Sequence, residues 1–268
     1  MTELHGIADY DFIEELGAGN HGRYYLADAP ARLGLGEARV AVKVLDRRAG
    51  ESEFRRVATE LRIFHAVRSD HLVRIHDAGY ADGVLVLAMQ HHPDGSLADP
   101  ARPLDETARA RLVADAARGA HDLHEVGVVH RDIKPANILI DDGLGVLTDL
   151  GLARLLSPGM TSTGVGPVGS IEFMSPGAIL GERASRATDL WALGVTLHAT
   201  LAGEGVYGRI PDSNVMEAFT HVLGTAPAVS PRLPEAYRPL VERCLGRGDP
   251  IATAANLADA IDAIVVAR

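Results

Sequence analysis

The octapeptide HRDIKPAN, at residues 130–137, is the most informative segment of the chain. It places Asp132, Lys134 and Asn137 at short fixed offsets, directly after a long helical pattern. A carboxylate can accept a proton from a hydroxyl, a lysine can neutralise a moving phosphoryl group, and an amide oxygen can bind a metal. Asp149, which begins Asp-Leu-Gly at residues 149–151, adds a hard oxygen ligand suited to Mg²⁺. These residue types in this order indicate phosphoryl-transfer chemistry.

A glycine-rich segment, GAGNHG at residues 17–22, lies upstream between two β-prone runs. Glycine lets backbone N–H groups approach phosphate oxygens without a clash from a Cβ atom. Alone the signal is weak, because a glycine-rich hairpin is more often only a turn. A dinucleotide-binding fold is disfavoured, since residues 24–27 continue as a strand where that fold needs a helix. A Walker-type loop is excluded, because no Lys and Ser/Thr pair follows Gly22.

A lysine ends the apolar run Val40–Lys43. A buried ammonium is costly unless it meets an anion, either a carboxylate or a phosphate. Glu60 lies on the margin of the apolar stripe of a helical pattern at residues 53–67 and would supply a counter-ion. The alternative is an edge lysine whose ammonium reaches solvent along its own apolar stem.

Composition excludes several classes of protein. The 268 residues have a formal charge of 26 − 36 = −10, which opposes binding to nucleic acid. Cys244 is the only cysteine, so no internal disulfide can form. No apolar run is long enough to span a bilayer, and the first residues lack the features of a signal peptide. We therefore expect a cytoplasmic protein with no nucleic-acid partner and no membrane insertion.

The pattern of secondary structure changes near residue 90. A small sheet with one helix is expected before it, and mostly helices after it, beginning with Asp105–Val126, which Gly127 ends. The turn-forming segment at residues 91–95 is expected to be a hinge, and residues 157–169 a mobile loop. The expected strands cover residues 10–16, 24–27, 40–45, 72–76 and 84–89, and the further helices cover residues 189–201, 213–223, 235–245 and 252–265.

Together these motifs resemble the eukaryotic-type serine/threonine protein kinases, and the composition is typical of a bacterial member. The resemblance implies an α+β fold, the bilobal protein-kinase fold, as a single kinase domain over residues 10–268. A small β-rich N-lobe would occupy about residues 10–90, and a larger helical C-lobe about residues 91–268. The resemblance also implies ATP and Mg²⁺ as cofactors, with Mn²⁺ as an alternative ion. Protein substrates, still unidentified, would accept the phosphate on Ser or Thr hydroxyls.

The resemblance assigns a role to each matching position. Asp132 would be the catalytic carboxylate, Lys134 the lysine on the γ-phosphate, and Lys43 the lysine on the α- and β-phosphates, paired with Glu60. Asn137 and Asp149 would hold Mg²⁺, and Asp189 with residues 191–194 would form the buried helix that anchors the catalytic loop. His91 and His92 become hinge residues rather than metal ligands. The ATP-binding residues would be Leu16, Gly17, Ala18, Gly19, Asn20, His21, Gly22, Tyr24, Ala41, Lys43, Met89, Gln90, His92 and Leu139.

An activation segment would run from Asp149 to Pro176. Its centre holds three hydroxyl side chains, Thr161, Ser162 and Thr163, which we expect to be autophosphorylated within a transient homodimer. A phosphate there could pair with Arg131. The lysine at position 134 and Ser170 are typical of Ser/Thr rather than tyrosine kinases. Ala136 and Ser96 stand where enzymes that prefer basic substrates often carry acidic residues, so no such preference is expected.

Some positions depart from the family pattern. Tyr24 replaces a small β-branched residue that packs on adenine, so either the space above the adenine would be tighter or the Tyr24 ring would point outward. Leu150 replaces an aromatic residue while Phe64 replaces a leucine, which suggests that the two volumes were exchanged. Gly177 and Thr253 replace the Glu and Arg of a buried ion pair, and the loss of both partners can be nearly neutral. The alternatives to an active kinase are a nucleotide-binding pseudokinase scaffold and a small-molecule phosphotransferase of kinase-like fold.

Overall fold

The computed structural model describes residues 6–19, 22–36, 38–48, 61, 64, 66–81, 83–149 and 168–267. The chain divides into two compact units. The first unit contains Val73–His91 and the described residues up to Ala66, and the second contains Val67–Leu72 and the described residues from His92 onward. The main boundary therefore lies within residues 91–95, the segment that was predicted to be a hinge.

The first unit is built on a five-stranded antiparallel sheet. Its strands are β1 Phe12–Gly19, β2 Gly22–Asp28, β3 Arg39–Arg48, β4 Ile75–Ala81 and β5 Val84–Gln90. They lie in the order β1-β2-β3-β5-β4. Side chains alternate between the two faces of each strand, as the period of a β-strand requires. In β3, Val40 and Val42 lie in a core cluster with Tyr10, whereas Ala41 and Lys43 occupy the alternate positions.

Two predicted strands begin later than expected. The strand predicted over residues 10–16 begins at Phe12, and Tyr10 instead forms an isolated bridge with Ile7. The sequence predicted a strand over residues 72–76, but β4 begins at Ile75. Leu72 instead forms a parallel bridge with Leu147, and the Leu147 N–H donates to the His71 carbonyl at 2.9 Å. The backbone at residues 71–72 is therefore paired within the second unit. Because of this pairing, β4 does not extend back to residue 72 as predicted.

The predicted helix over residues 53–67 falls largely outside the described residues, and so does Glu60. Leu61, Phe64 and Ala66 are described and have helical backbone, and both Leu61 and Phe64 are buried. This agrees with the apolar stripe of that pattern at these two positions. Most of the loop predicted over residues 157–169 also lies outside the described part of the chain.

The second unit is organised around α1, Glu106–Glu125. The Asp105 carboxylate caps it by accepting from the Ala108 N–H at 2.7 Å, and Gly127 follows its end with a φ of 78°. The remaining elements are β6 Ile138–Asp141, β7 Leu144–Leu147, α2 Pro176–Ile179, α3 Arg186–Ala202, α4 Val215–Gly224, α5 Arg238–Cys244 and α6 Ala254–Val266. Helix α1 packs against α3, α6 and β7.

The four helices predicted over the last third of the chain are therefore present, with ends shifted by a few residues. The segment at residues 235–237 is a 3-10 turn before α5 rather than its first turn. Over the described parts of the chain, none of the helices is both long and apolar enough to cross a membrane.

Helices α3 and α5 approach each other closely at Gly194. A Cβ atom added to Gly194 would lie 2.3 Å from the Cβ atom of Cys244. This is far inside van der Waals contact, so only glycine fits at this helix crossing.

We predict that Gly194→Ala lowers the free energy of unfolding by about 1 to 3 kcal/mol, because the added methyl group overpacks the crossing. Gly224→Ala is the matched control, since an added Cβ at that helical position meets nothing within 4 Å and alanine is the better helix former. Urea unfolding of both variants measures the difference. An equal stability of the two variants would contradict the close approach.

Candidate active site

Asp132 is the centre of a hydrogen-bonded group in the second unit. Lys134 Nζ lies 3.1 and 2.9 Å from the two Asp132 carboxylate oxygens and also donates to Ser170 Oγ at 3.2 Å. Asn137 Nδ2 donates to the Asp132 backbone carbonyl at 2.7 Å and to its Oδ2 at 2.9 Å. The Asp132 side chain is 22% exposed, whereas Lys134 and Asn137 are buried. The structure thus brings the predicted catalytic residues Asp132 and Lys134 together with the predicted metal ligand Asn137, and the Asp132 carboxylate is partly exposed to solvent.

The two predicted metal ligands lie at one end of the β6–β7 hairpin. Asn137 precedes β6, and its backbone carbonyl accepts from the Thr148 N–H at 2.9 Å, which places Asp149 next to this pair. Because the Asn137 amide hydrogens donate to Asp132, the carbonyl oxygen is the atom of this side chain that could bind a metal ion. An amide oxygen and a carboxylate suit Mg²⁺, which usually takes one or two protein ligands together with phosphate oxygens. The donor set therefore fits this ion.

A buried carboxylate holds the backbone of the segment that precedes Asp132. Asp189, in α3, accepts from the backbone N–H groups of His130 and Arg131 at 2.8 and 2.9 Å and lies 2.8 Å from His124 Nε2. Arg131 has a φ of 73°, in the left-handed region that non-glycine residues rarely adopt. The bonds to Asp189 stabilise this conformation. The sequence predicted Asp189 as the anchor but missed its partner His124, which lies in the last turn of α1.

His130 connects the loop to the strand that precedes Asp149. Its Nε2 lies 3.0 Å from the Thr148 carbonyl, and its Nδ1 lies 3.4 Å from the Asp132 N–H. These partners require a neutral ring that donates from Nε2 and accepts at Nδ1. Complete burial lowers the pKa of His130 below its ordinary value, which favours the same neutral form. His130 is therefore a structural connection between Asp132 and the backbone beside Asp149.

In the first unit, Lys43 lies against an aromatic ring. Lys43 is 7% exposed, and its Nζ is 4.9 Å from the centroid of the Tyr24 ring. Tyr24 and Lys43 are direct partners across β2 and β3, and Ala41 is paired with Met89 on the other side of β3. The Tyr24 ring is thus turned towards the lysine.

The described glycines of the glycine-rich segment lie in the antiparallel strands β1 and β2, in which Gly19 pairs with Gly22. Gly22 has a φ of 158°, and a Cβ atom there would lie 2.2 Å from the Val44 carbonyl oxygen. Gly17 has a φ of 150° next to an irregularity in the β1–β2 register. Ala18 lies in the same strand, and the Leu16 side chain is exposed. Close backbone packing therefore requires Gly22.

The remaining predicted nucleotide-binding residues are divided between the two units. Met89 is buried in β5, and the Gln90 N–H donates to the Arg74 carbonyl at 2.9 Å. In the second unit Leu139 lies in β6, and His92 is buried with its Nδ1 3.5 Å from Asp141 Oδ1. Burial lowers the pKa of His92. Among the described residues, no group of three His, Cys, Asp or Glu side chains could hold a metal ion.

Several predicted residues fall outside the described part of the chain. They are Asn20, His21, Glu60, Leu150, Thr161, Ser162 and Thr163. Their assignments therefore stay predictions, as does the volume exchange between Leu150 and Phe64.

Comparison with known proteins decides the family. The family model described as "Protein kinase domain" matches residues 10–249. This chain belongs to the protein kinase family. The resemblance inferred from HRDIKPAN and its neighbouring motifs is confirmed. Members of this family use ATP and Mg²⁺ and act on proteins, so the small-molecule phosphotransferase is disfavoured.

Relatives of this kinase domain include bacterial serine/threonine kinases. Serine/threonine-protein kinase PknK of Mycobacterium tuberculosis is 32% identical over 263 residues, covering 94% of this chain and 23% of the relative. Serine/threonine-protein kinase PknJ of Mycobacterium bovis is 32% identical over 236 residues, covering 85% and 39%. Mitogen-activated protein kinase kinase 1 of Arabidopsis thaliana is 30% identical over 206 residues, covering 75% and 57%. The chain thus spans less than half the length of the two mycobacterial relatives.

A solved structure supports the fold assignment. The crystal structure of the Mycobacterium tuberculosis PknI kinase domain has a TM-score of 0.71, with 23% sequence identity, and the match covers 98% of this chain and 99% of that one. The expected α+β fold, with a β-sheet lobe and a helical lobe, is confirmed.

The two positions that lack the family's ion pair have local roles in this kinase domain. Thr253 caps α6, since its hydroxyl accepts from the Asn256 N–H at 3.1 Å. Gly177 lies against Glu182, whose carboxylate oxygen would be 2.2 Å from an added Cβ at position 177. A threonine cap and a glycine contact therefore stand where the family pattern has two opposite charges.

We predict that Asp189→Asn destabilises the kinase domain by about 2 kcal/mol and strongly lowers phosphotransfer. The amide NH₂ cannot accept, so at least one N–H donor around position 189 loses its acceptor inside the protein, and the others keep only a neutral one. Thermal unfolding and a phosphotransfer assay on the folded variant measure the two effects. Asp212→Asn, at an exposed position, is the matched control. Full activity in a folded Asp189→Asn protein would contradict the anchoring role.

Proposed function

We propose that this kinase domain transfers the γ-phosphoryl group of ATP to serine or threonine hydroxyls of a protein substrate. The observation that carries the proposal is the contact of Lys134 and Asn137 with a partly exposed Asp132 carboxylate. Positioned residues of these types supply what phosphoryl transfer needs, a proton acceptor and positive charge, without covalent chemistry by the protein. Family membership supports the same reaction class.

In the proposed reaction Asp132 orients the substrate hydroxyl and accepts its proton as the oxygen bonds to the γ-phosphorus. The bond between that phosphorus and the ADP oxygen breaks. Lys134 neutralises charge on the moving phosphoryl group, and its contact with Ser170 Oγ at 3.2 Å keeps its ammonium beside Asp132. Asn137 fixes the Asp132 carboxylate through its amide hydrogens. Each step thus uses a group whose position is held by another.

Asn137 and Asp149 are the proposed ligands of Mg²⁺, which when bound neutralises charge on phosphate oxygens. Asn137 is suited to this role because its amide orientation is set by two bonds to Asp132. The left-handed φ of 62° at Asp149 marks a constrained backbone at the other ligand. The β6–β7 pairing of Ile138 with Leu147 fixes the spacing of the two segments.

Nucleotide binding is assigned to the first unit's sheet and to Leu139 and His92 of the second. Lys43 is proposed to bind the α- and β-phosphates with Glu60 as its ion-pair partner, and the β1–β2 hairpin to cover the phosphates. The apolar side chains of Ala41, Met89 and Leu139 suit contact with adenine. Lys43 is buried, and a buried ammonium requires an anion to compensate its charge.

Regulation by autophosphorylation is part of the proposal. Thr161, Ser162 and Thr163 are the candidate acceptors, and a second copy of the chain would present them in a transient homodimer. The Gly177 and Thr253 substitutions remove an ion pair from this segment's attachment, so a phosphate would contribute more to its order. The reaction is assigned to the cytoplasm, where ATP is available. The substitutions also favour the second candidate, a nucleotide-binding scaffold without catalysis.

The first test is incubation of purified protein with Mg²⁺ and ATP, followed by intact mass measurement. We predict a gain of whole phosphate groups in the wild type and in Asp212→Asn, and none in Asp132→Asn, which lacks the proton acceptor but keeps the size of the side chain. Nucleotide binding without a mass gain, and without phosphate transfer to a general protein substrate, would favour the scaffold instead.

Digestion of the same sample tests the location of the phosphates. We expect phosphopeptides from residues 149–176, with the loss of most of the signal in the triple variant Thr161→Ala, Ser162→Ala, Thr163→Ala. Removing Mg²⁺ with a chelator should abolish incorporation. Phosphate found only outside residues 149–176 would rule out the proposed acceptors.

A further inference from the structure

Tyr24 contacts the lysine that the proposed function assigns to phosphate binding. Tyr24 in β2 and Lys43 in β3 are directly opposite in an antiparallel pair, so their side chains lie on the same face of the sheet. The Lys43 Nζ atom lies 4.9 Å from the centroid of the ring, within the range of a cation–π contact. The sequence instead predicted that the Tyr24 ring would either tighten the space above the adenine or point outward.

Burial strengthens this contact. Lys43 is 7% exposed, and attraction between an ammonium and the face of a ring grows as water is removed. An ammonium has three N–H donors, so its contact with a ring face does not exclude hydrogen bonds to phosphate oxygens.

We propose that Tyr24 is a positioning residue, whose ring holds the Lys43 ammonium on the nucleotide-binding face before phosphate binds. This inference rests on the proposed function of Lys43 as a phosphate-binding lysine. Holding the ammonium in advance reduces the conformational entropy lost on binding, because a free lysine side chain has many rotamers. The family pattern has a small β-branched residue at this position, so the device belongs to this chain rather than to the family.

The experiment compares ATP with adenosine, which lacks phosphates. Dissociation constants for Mg²⁺–ATP and for adenosine are measured by calorimetry in the wild type, Tyr24→Phe and Tyr24→Leu. Phenylalanine keeps the ring face, whereas leucine keeps an apolar side chain without it. We expect Tyr24→Leu to weaken ATP binding about three- to tenfold, to change adenosine binding less than twofold, and to raise the KM for ATP with little change in kcat. Tyr24→Phe should match the wild type.

Tyr25→Leu is the matched control. Tyr25 is the next residue of β2, pairs with Val42 rather than Lys43, and stacks on Phe12 with ring centroids 4.1 Å apart. The change removes an aromatic ring from the other face of the same strand. Thermal unfolding of each variant checks the fold, and the ratio of ATP to adenosine affinity should stay at the wild-type value in Tyr25→Leu.

Three results would overturn the inference. Parallel loss of ATP and adenosine binding in Tyr24→Leu would make Tyr24 an adenine contact. Equal behaviour of Tyr24→Phe and Tyr24→Leu would exclude a role of the ring face. Tighter ATP binding in Tyr24→Leu would mean that the ring competes with phosphate for Lys43. Failure of the wild type to bind either ligand would instead overturn the proposed function, and this inference with it.

Discussion

The candidate active site depends on the hydrogen bonds that the Asp189 carboxylate accepts. This carboxylate lies inside the second unit, accepts from the backbone of His130 and Arg131, and contacts His124. Three donors compensate for the removal of one negative charge from water. Because two of these donors belong to consecutive peptide groups, the carboxylate fixes the path of the backbone rather than a single side chain. The position of Asp132 follows from that path.

The sequence predicted those features whose physical signal is local. HRDIKPAN placed Asp132, Lys134 and Asn137 close together because they are at most five residues apart, and the helix from Asp105 was predicted from its apolar period and from Gly127 at its end. The start of β4 was predicted wrongly because the backbone at residues 71–72 pairs with Leu147, far away in the chain. His124 was missed for a similar reason: a lone histidine in a helix gives no sign that its partner is Asp189.

At two positions that depart from the family pattern, a local contact stands in place of the family's ion pair. Thr253 caps the helix that it begins, and Gly177 makes room for the side chain of Glu182. At a third such position, Tyr24 places an aromatic face beside an ammonium. Sequence comparison identifies such positions as unusual, but only the register of β2 against β3 shows what the ring of Tyr24 contacts.

The close crossing of α3 and α5 also has a chemical consequence. Cys244, the only cysteine of the chain, is buried at this crossing beside Gly194. Burial raises the pKa of its thiol to about 12, so the thiolate that reacts with alkylating or oxidising reagents is scarce in the folded state. Thiol modification therefore requires that the two helices separate. The rate of labelling at this one atom reports how often the interior of the second unit opens to solvent.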